Sequence, residues 1–298
     1  NSFTYPQFKN TFKIDTQSKR LHLPKIGDIK IRLPRLPEGK IKTCTIIKDK
    51  NHWFACITCD IKEKTKIETK ENLNVGSGDV GLKSLITLHT GEKIENPKYL
   101  SKSERKLKRL QRSLSRKRLF SKNWLKVKRK IQSLYTKIKN QRNDFLHKLS
   151  RFIVNTYSVF FFEKLNIKGM IESKNNLSKS IHDSSWRKLC QFIEYKAKKE
   201  GKLALPVVSR DSSQECSQCG YIKQGEERLK LKDRIYKCSR CGLVIDRDWN
   251  SALVILKRGL EEYRGVAGSL SLWRREVTGE TQCLSMKQEV YFDTTNYL

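Results

Sequence analysis

Two Cys-x-x-Cys pairs constrain this chain more than any other feature. They are Cys216-Ser217-Gln218-Cys219-Gly220 and Cys238-Ser239-Arg240-Cys241-Gly242, with eighteen residues between them. Two such turns can set four thiolates at the corners of a tetrahedron, the geometry Zn²⁺ takes in structural sites. The glycine after each pair permits the backbone turn that wraps sulfur around an ion. Four protein ligands leave no open position for water, so Zn²⁺ held by Cys216, Cys219, Cys238 and Cys241 is expected to be structural. The plain alternative is two surface cysteine pairs that bind nothing. The chain has nine cysteines, an odd number, which fits metal binding in a reducing compartment better than a disulfide framework. Cys56-Ile57-Thr58-Cys59 repeats the spacing inside an apparent strand. Residues three apart on a strand point to opposite faces, so these are expected to be buried strand cysteines. Cys190 fits the apolar side of a helix, and Cys44 and Cys283 have no partner signal.

Charge is the second constraint. Among 298 residues, 63 Lys and Arg face 31 Asp and Glu, a formal net charge of +32. With 37% hydrophobic residues the chain can still build a core, which argues against disorder throughout. No apolar run approaches a membrane span of about 18 residues, so no membrane partner is expected. An excess this large calls for a polyanion, and nucleic acid is the commonest. Residues 101–157 hold 19 of the basic residues and only two acids, Glu104 and Asp144. Beyond Gly265 the excess vanishes, and that tail is expected to be loosely ordered.

Residues 1–70 alternate polar and apolar in short runs, as in Arg20–Pro24, Asp28–Pro34, Lys42–Ile47 and Trp53–Cys59. Lys48–His52 reads as a hairpin turn, and the whole as a small barrel. Asn74–Gly81 and Leu85–His89 form a second β pattern, with Thr90-Gly91-Glu92 turning into a third strand. From 101 to 157 the apolar spacing becomes helical, through Leu107, Leu110, Leu114, Val127, Ile131, Leu134 and Ile138. A break near Phe120–Asn123 makes this a hairpin of two helices. Val159–Glu163 reads as a buried central strand. Ser184–Gly201 follows as a helix with Ser184 or Ser185 as its N-cap. Leu203–Val208 is a strand, and a last helix runs from about Arg247 to Leu260.

Three carboxylates stand out because each sits in or at the end of a regular element. Asp79 lies in the Gly-rich strand Val75–Leu82, Glu163 ends the Phe-rich strand, and Asp248 opens the last helix beside Asp246. Taken singly, each has a bland reading: a turn residue, an ion-pair partner, a helix N-terminal charge. As a set in a basic protein, they suit carboxylates that gather Mg²⁺ for two-metal cleavage of phosphodiesters.

The order of these motifs resembles a known family. Gly78-Asp79-Val80-Gly81-Leu82-Lys83-Ser84, Phe162-Glu163-Lys164-Leu165-Asn166-Ile167-Lys168-Gly169-Met170, the two cysteine pairs and Asp246-Arg247-Asp248-Trp249-Asn250-Ser251-Ala252 are similar to the OrfB (TnpB) proteins of insertion sequences. Gln141–Lys148 and Glu194–Ala197 support the likeness, which covers most of residues 1–262. The resemblance implies an α/β fold: an RNase H-like (RuvC) nuclease core with an inserted zinc ribbon and a basic helical hairpin, preceded by a small wedge-like β-barrel. It implies the segments 1–70 (partial barrel), 71–213 (core, with the hairpin at 101–157), 214–243 (zinc ribbon), 244–262 (last core helix) and 263–298 (flexible tail). It further implies RNA-guided DNA cleavage, with DNA and a guide RNA as partners. Asp79, Glu163 and Asp248 would be the catalytic Mg²⁺ ligands. Asp248 is preferred to Asp246 because it directly precedes Trp249-Asn250. A cytoplasmic, nucleoid-associated setting in a prokaryotic cell follows. The family has an additional N-terminal portion, so this chain is expected to begin within the barrel. Gly78 stands where the family favours a bulky aliphatic, which predicts thinner packing around Asp79, and Ser209-Arg210-Asp211 replaces a stretch usually richer in Pro and aromatics. A relative that binds nucleic acid without cutting it, or a zinc-ribbon protein within a larger assembly, are the alternative readings.

Overall fold

The computed structural model describes residues 2–33, 36–49, 52–60, 74–166, 169–170, 178–208, 210–230, 232–276 and 286–292. The expected boundary at 70/71, Ile167-Lys168, Ser209 and Cys283 lie outside them. The chain divides into two compact units, Asn1–Glu63 with Leu272–Leu298, and Lys64–Ser271.

The first unit is an antiparallel sheet. Its strands are β1 (Ser2–Tyr5), β2 (Lys13–Asp15), β3 (Arg20–Leu23), β4 (Gly27–Arg32), β5 (Lys40–Asp49), β6 (His52–Asp60) and β14 (Met286–Phe292), in the order β1-β5-β6-β14-β4-β3-β2. Asp49 and His52 pair across antiparallel β5 and β6, and Lys50-Asn51, the middle of the turn expected at Lys48–His52, lies outside the described residues. Leu21 and Leu23 of β3, Ile31 of β4, Cys44 and Ile46 of β5 and Ala55, Ile57 and Cys59 of β6 share one core with Phe12. Strands far apart in the sheet thus pack together, so the sheet curls over its own apolar face. Cys56 and Cys59 are both buried in β6. One correction concerns the tail. Residues 263–298 carry helix as far as Glu276, and Met286–Phe292 pairs with both β6 and β4. Low charge concealed a β-forming run, Val290-Tyr291-Phe292, that meets two open strand edges.

The second unit holds a mixed five-stranded sheet, β11-β10-β7-β8-β9, where β7 is Val75–Val80, β8 Ser84–Leu88, β9 Lys93–Glu95, β10 Val159–Glu163 and β11 Leu203–Val207, and a separate antiparallel pair, β12 (Ile235–Lys237) and β13 (Val244–Asp246). β7, β8 and β9 form an antiparallel meander, whereas β10 runs parallel to both β7 and β11. Parallel neighbours need helical crossovers. α1 (Tyr99–Ser115) and α2 (Lys122–Thr156) make one, and α3 (Ser178–Ser184) and α4 (Trp186–Lys199) the other. The expected break separates α1 from α2, where the Ser121 side chain caps α2 by accepting from the Trp124 amide at 3.2 Å.

β10 explains the order of layers. Phe160 and Phe162 face a core built with α2, α3 and α4, including Leu146, Ile153, Trp186, Leu189 and Ile193. Val159 and Phe161 face the opposite core, with Val207 and with Ile255 and Leu260 of α5 (Arg247–Glu276). A strand covered on both sides must be apolar at every position, which is why Val-Phe-Phe-Phe carries no alternation. Gly259 lets α5 approach, since a Cβ there would lie 2.3 Å from the Phe161 ring. Another correction concerns Ser185. It stands before α4 with φ 54° and makes no side-chain cap; its hydroxyl instead bonds the His182 carbonyl at 3.1 Å. The α3 helix arrives directly before it and offers that carbonyl, which outcompetes a capping role.

Candidate functional site

Sheet parity brings the carboxylates together. Val75 packs in the α5-side core, and the Ser77 hydroxyl donates to the Ala252 carbonyl of α5 at 2.7 Å. Asp79 follows two residues later and faces the same side. Glu163 shares that side with Val159 and Phe161. Phe162 pairs with Gly78 in parallel register, so Asp79 and Glu163 emerge side by side at the carboxyl ends of adjacent parallel strands. In open α/β sheets, ligands bind at such ends. Asp248, in the first turn of α5, lies near enough for its charge to raise the Asp79 pKa.

The Asp79 carboxyl hydrogen-bonds with Glu163 and with Ser251. Its pKa stands well above the ordinary carboxylate range, first through desolvation and then through the charges of Glu163 and Asp248, while the Ser251 bond pulls the other way. Two carboxyls can share a hydrogen bond only if one keeps a proton. A cation would relieve the same crowding, and three hard oxygen donors suit Mg²⁺. The thin packing expected at Gly78 does not occur. A Cβ at Gly78 would meet Ile86 at 2.5 Å, and one at Gly76 would meet the Tyr157 ring at 2.5 Å. Bulk missing from β7 is supplied by its neighbours.

Asp246 has a different task. Its carboxylate accepts from the Asp248 and Trp249 amides at 3.1 and 3.2 Å and from Lys93 Nζ at 2.6 Å. Desolvation would raise its pKa, but the Lys93 and amide bonds bring it below the ordinary range. It is the N-cap of α5, whereas the Asp248 carboxylate lies 3.5 Å from Arg247 Nε and its charge acts on Asp79.

The four cysteines also converge. Their sulfurs lie within 4.8 Å of one another, with Cys216–Cys241 and Cys219–Cys238 both at 3.6 Å. A tetrahedron with Zn–S bonds of about 2.3 Å has edges of about 3.8 Å, so the set fits that ion. Each pair closes on a glycine of positive φ. The Gly220 amide (φ 74°) donates to the Cys216 carbonyl at 2.9 Å, and Gly242 (φ 75°) to Cys238 at 3.1 Å. Desolvation pushes the Cys216 thiol up to about 12. Desolvation acts on Cys238 too, but the Cys241 and Arg240 amides aimed at its sulfur bring it down to about 7. Tyr236, fully buried between the pairs, donates to the Gln214 carbonyl at 3.1 Å.

Asn250 and Ser251 escaped the sequence reading as site residues. Buried Asn250 donates to the Glu215 carbonyl at 2.6 Å and accepts from the Ser217 amide at 3.0 Å, tying α5 to both sides of Cys216. Arg258, two helical turns on, bonds Glu215 and the carbonyls of Val208 and Arg210. Ser251 lies 3.0 Å from Ser212 besides touching Asp79. For Ser251 the signal was spacing: Asp248, Ser251, Ala252 and Ile255 fall at i, i+3, i+4 and i+7, one helix face.

The basic hairpin keeps its charge outward. Leu107 packs with Ile131, Leu134 and Ile138, while an open groove of about 1090 Å³ along α1 is lined by Lys102, Arg105, Lys106, Arg109 and Arg112 among others. The two acids in this segment are engaged. Glu104 binds Lys179 and Lys108, which bring its pKa down to about 2, and Asp144 binds Lys148.

A family model described as "Probable transposase" matches residues 57–174, and a second, "Cas12f1-like, TNB domain", matches 186–255. The chain is 32% identical over 273 residues to a protein of Escherichia coli K12 named "Putative RNA-guided DNA endonuclease InsQ", covering 87% of this chain and 66% of that one. A Streptomyces pristinaespiralis protein named "Putative RNA-guided DNA endonuclease" is 35% identical over 229 residues, 76% of this chain and 55% of its own length. The chain therefore spans just under two thirds and just over half of these two relatives. A cryo-EM structure of a Cas12f1–sgRNA–target DNA complex aligns at 18% identity with a TM-score of 0.45, over 86% of this chain and 66% of that chain. Among the described residues, no helix is long and apolar enough to cross a membrane.

Proposed function

The chain belongs to the OrfB (TnpB) family, and on that premise we propose that it is a divalent-metal-dependent DNA endonuclease directed by a guide RNA. The observation that carries the reading is the meeting of Asp79, Glu163 and Asp248 at the carboxyl ends of β7 and β10, in a chain of net charge +32. On this reading the five-stranded sheet with α5 is an RNase H-like (RuvC) core. The cysteine module is a zinc ribbon inserted before its last carboxylate.

Asp79, Glu163 and Asp248 would hold Mg²⁺, which when bound supplies an activated water and stabilises the leaving oxygen of a phosphodiester. The remaining work belongs to the protein. Ser251 orients the Asp79 carboxyl, and Asp246 fixes the first turn of α5 so that Asp248 faces the strands. Asn250 anchors that turn to the cysteine module, whose metal is structural. The basic hairpin holds a phosphate backbone against the acidic site, a contact that weakens with salt.

The test is incubation with Mg²⁺, RNA from the flanking element and a matched DNA target. Cleavage should be lost in Asp79→Ala, Glu163→Ala and Asp248→Ala but kept in Asp144→Ala. Cutting that survives Glu163→Ala would remove the catalytic assignment. Tight, salt-sensitive binding without any cutting would favour the non-cleaving relative.

A further inference from the structure

The residue after Asp248 is an aromatic that the nuclease reading does not use. Trp249 is 36% exposed, although it lies in the first turn of α5 beside the carboxylates. It is held at both ends. Its backbone amide donates to the Asp246 carboxylate at 3.2 Å, and its indole Nε1 donates to the His89 carbonyl at 2.8 Å. A Cβ placed on Gly91 would lie 3.2, 3.4 and 3.5 Å from Cε2, Cδ2 and Cζ2 of the indole. Near-equal distances that include the ring-fusion carbon Cδ2 put Gly91 over the ring face and not at its edge. The φ of 87° at Gly91 and this closeness both call for glycine. One indole face therefore rests on the β8–β9 turn, while 36% of the residue stays exposed.

Burial does not explain this arrangement, because a third of the side chain stays in water. A rigid, one-sided indole beside a phosphodiester-cutting site has an obvious chemical complement. Every nucleobase has a π face, and stacking on an aromatic needs an unpaired base, since bases in a duplex already stack on one another. We propose that Trp249 is a stacking platform for an unpaired nucleobase and seats single-stranded DNA beside Asp79, Glu163 and Asp248. The placement of the strand rests on the nuclease reading; the stacking itself does not.

The experiment measures affinity without cleavage. The protein carrying Asp79→Ala is titrated with a fluorescently labelled short oligothymidylate and, separately, with a blunt duplex, at fixed salt. Adding Trp249→Leu should weaken single-strand binding about tenfold, the size of one base–aromatic stack, and leave duplex affinity unchanged. Trp249→Phe should recover most of the loss. Equal losses for strand and duplex would mean that Trp249 only pins α5 to the turn, and would overturn the proposal. Unchanged single-strand affinity in Trp249→Leu, or no single-strand binding by the parent, would overturn it too. A protein that stacks DNA through Trp249 yet never cuts with Mg²⁺ would leave this inference standing while removing the nuclease reading.

Discussion

The cysteine cluster and the carboxylate cluster are assembled in opposite ways. The four sulfurs come from two tight turns within 26 residues, each closed by its own amide bonds to a positive-φ glycine. The three carboxylates come from β7, β10 and α5, spread over 170 residues, and meet only because the sheet places two strand ends side by side and packs a helix on them. Local geometry gathers the first set; the fold forces the second together against its own repulsion. The first should fail by unfolding when a ligand is lost. The second should lose activity while the fold stays whole or becomes firmer.

The largest expected effect is Cys216→Ser. Structural zinc in finger peptides is worth about 10–16 kcal/mol at neutral pH, so this variant should open the region around 210–246 to proteases. It should also abolish cleavage, because Asn250 loses its partners on both sides of Cys216. Unchanged protease resistance would show that the module stands without metal.

Next comes Asp79. Asp79→Ala should slow cleavage by about a thousandfold, a loss of several kcal/mol at about 1.4 kcal/mol per decade, without lowering the thermal midpoint. Its pH behaviour separates the two clusters. Because folding raises the Asp79 pKa, its contribution to stability is full below the ordinary carboxylate pKa and is lost as pH rises through the folded value. Melting in magnesium-free buffer should thus show a loss with rising pH that Asp79→Asn removes. The zinc-loaded module should move the other way, weakening as acid returns protons to the thiolates.

A smaller effect tests the link between the clusters. Asn250→Ala leaves the Ser217 amide and the Glu215 carbonyl short of a partner and should cost about 1–3 kcal/mol. Zinc content measured by a chelator assay should stay intact while cleavage falls. Both intact would mean that the two sites are independent. Smallest of all, Lys93→Met removes a partly exposed ion pair to Asp246, and its stability cost should stay within about 1 kcal/mol.

Legibility followed the same division. The cysteine cluster could be read because its spacing is short and its glycines adjacent. Val159–Glu163 was read to the residue because a doubly covered strand tolerates no polar side chain. The carboxylates were recognisable as motifs, but nothing along the chain says that Asp79 and Glu163 share a register. Asp246 and Asp248 looked alike in sequence. Only the amides of the first helical turn and Lys93 separate a cap from a cluster member. The bulk lent to β7 by Ile86 and Tyr157 comes from residues 8 and 81 positions away, where local patterning has no reach. β14 was missed because its partners, β6 and β4, precede it by more than 200 residues.

The fastening of the cysteine module to α5 bears on any attempt to exchange parts between related proteins. A graft cut at the outer cysteines, 216 and 241, would sever the Tyr236–Gln214 and Ser217–Asn250 bonds that seat the module, and Glu215 beside the cut is itself held by Asn250 and Arg258. The transferable cassette is therefore longer than its metal ligands. It runs from Gln214 through Arg258, and it carries Asp248 with it, so a donor module arrives with one of the recipient's three clustered carboxylates already chosen.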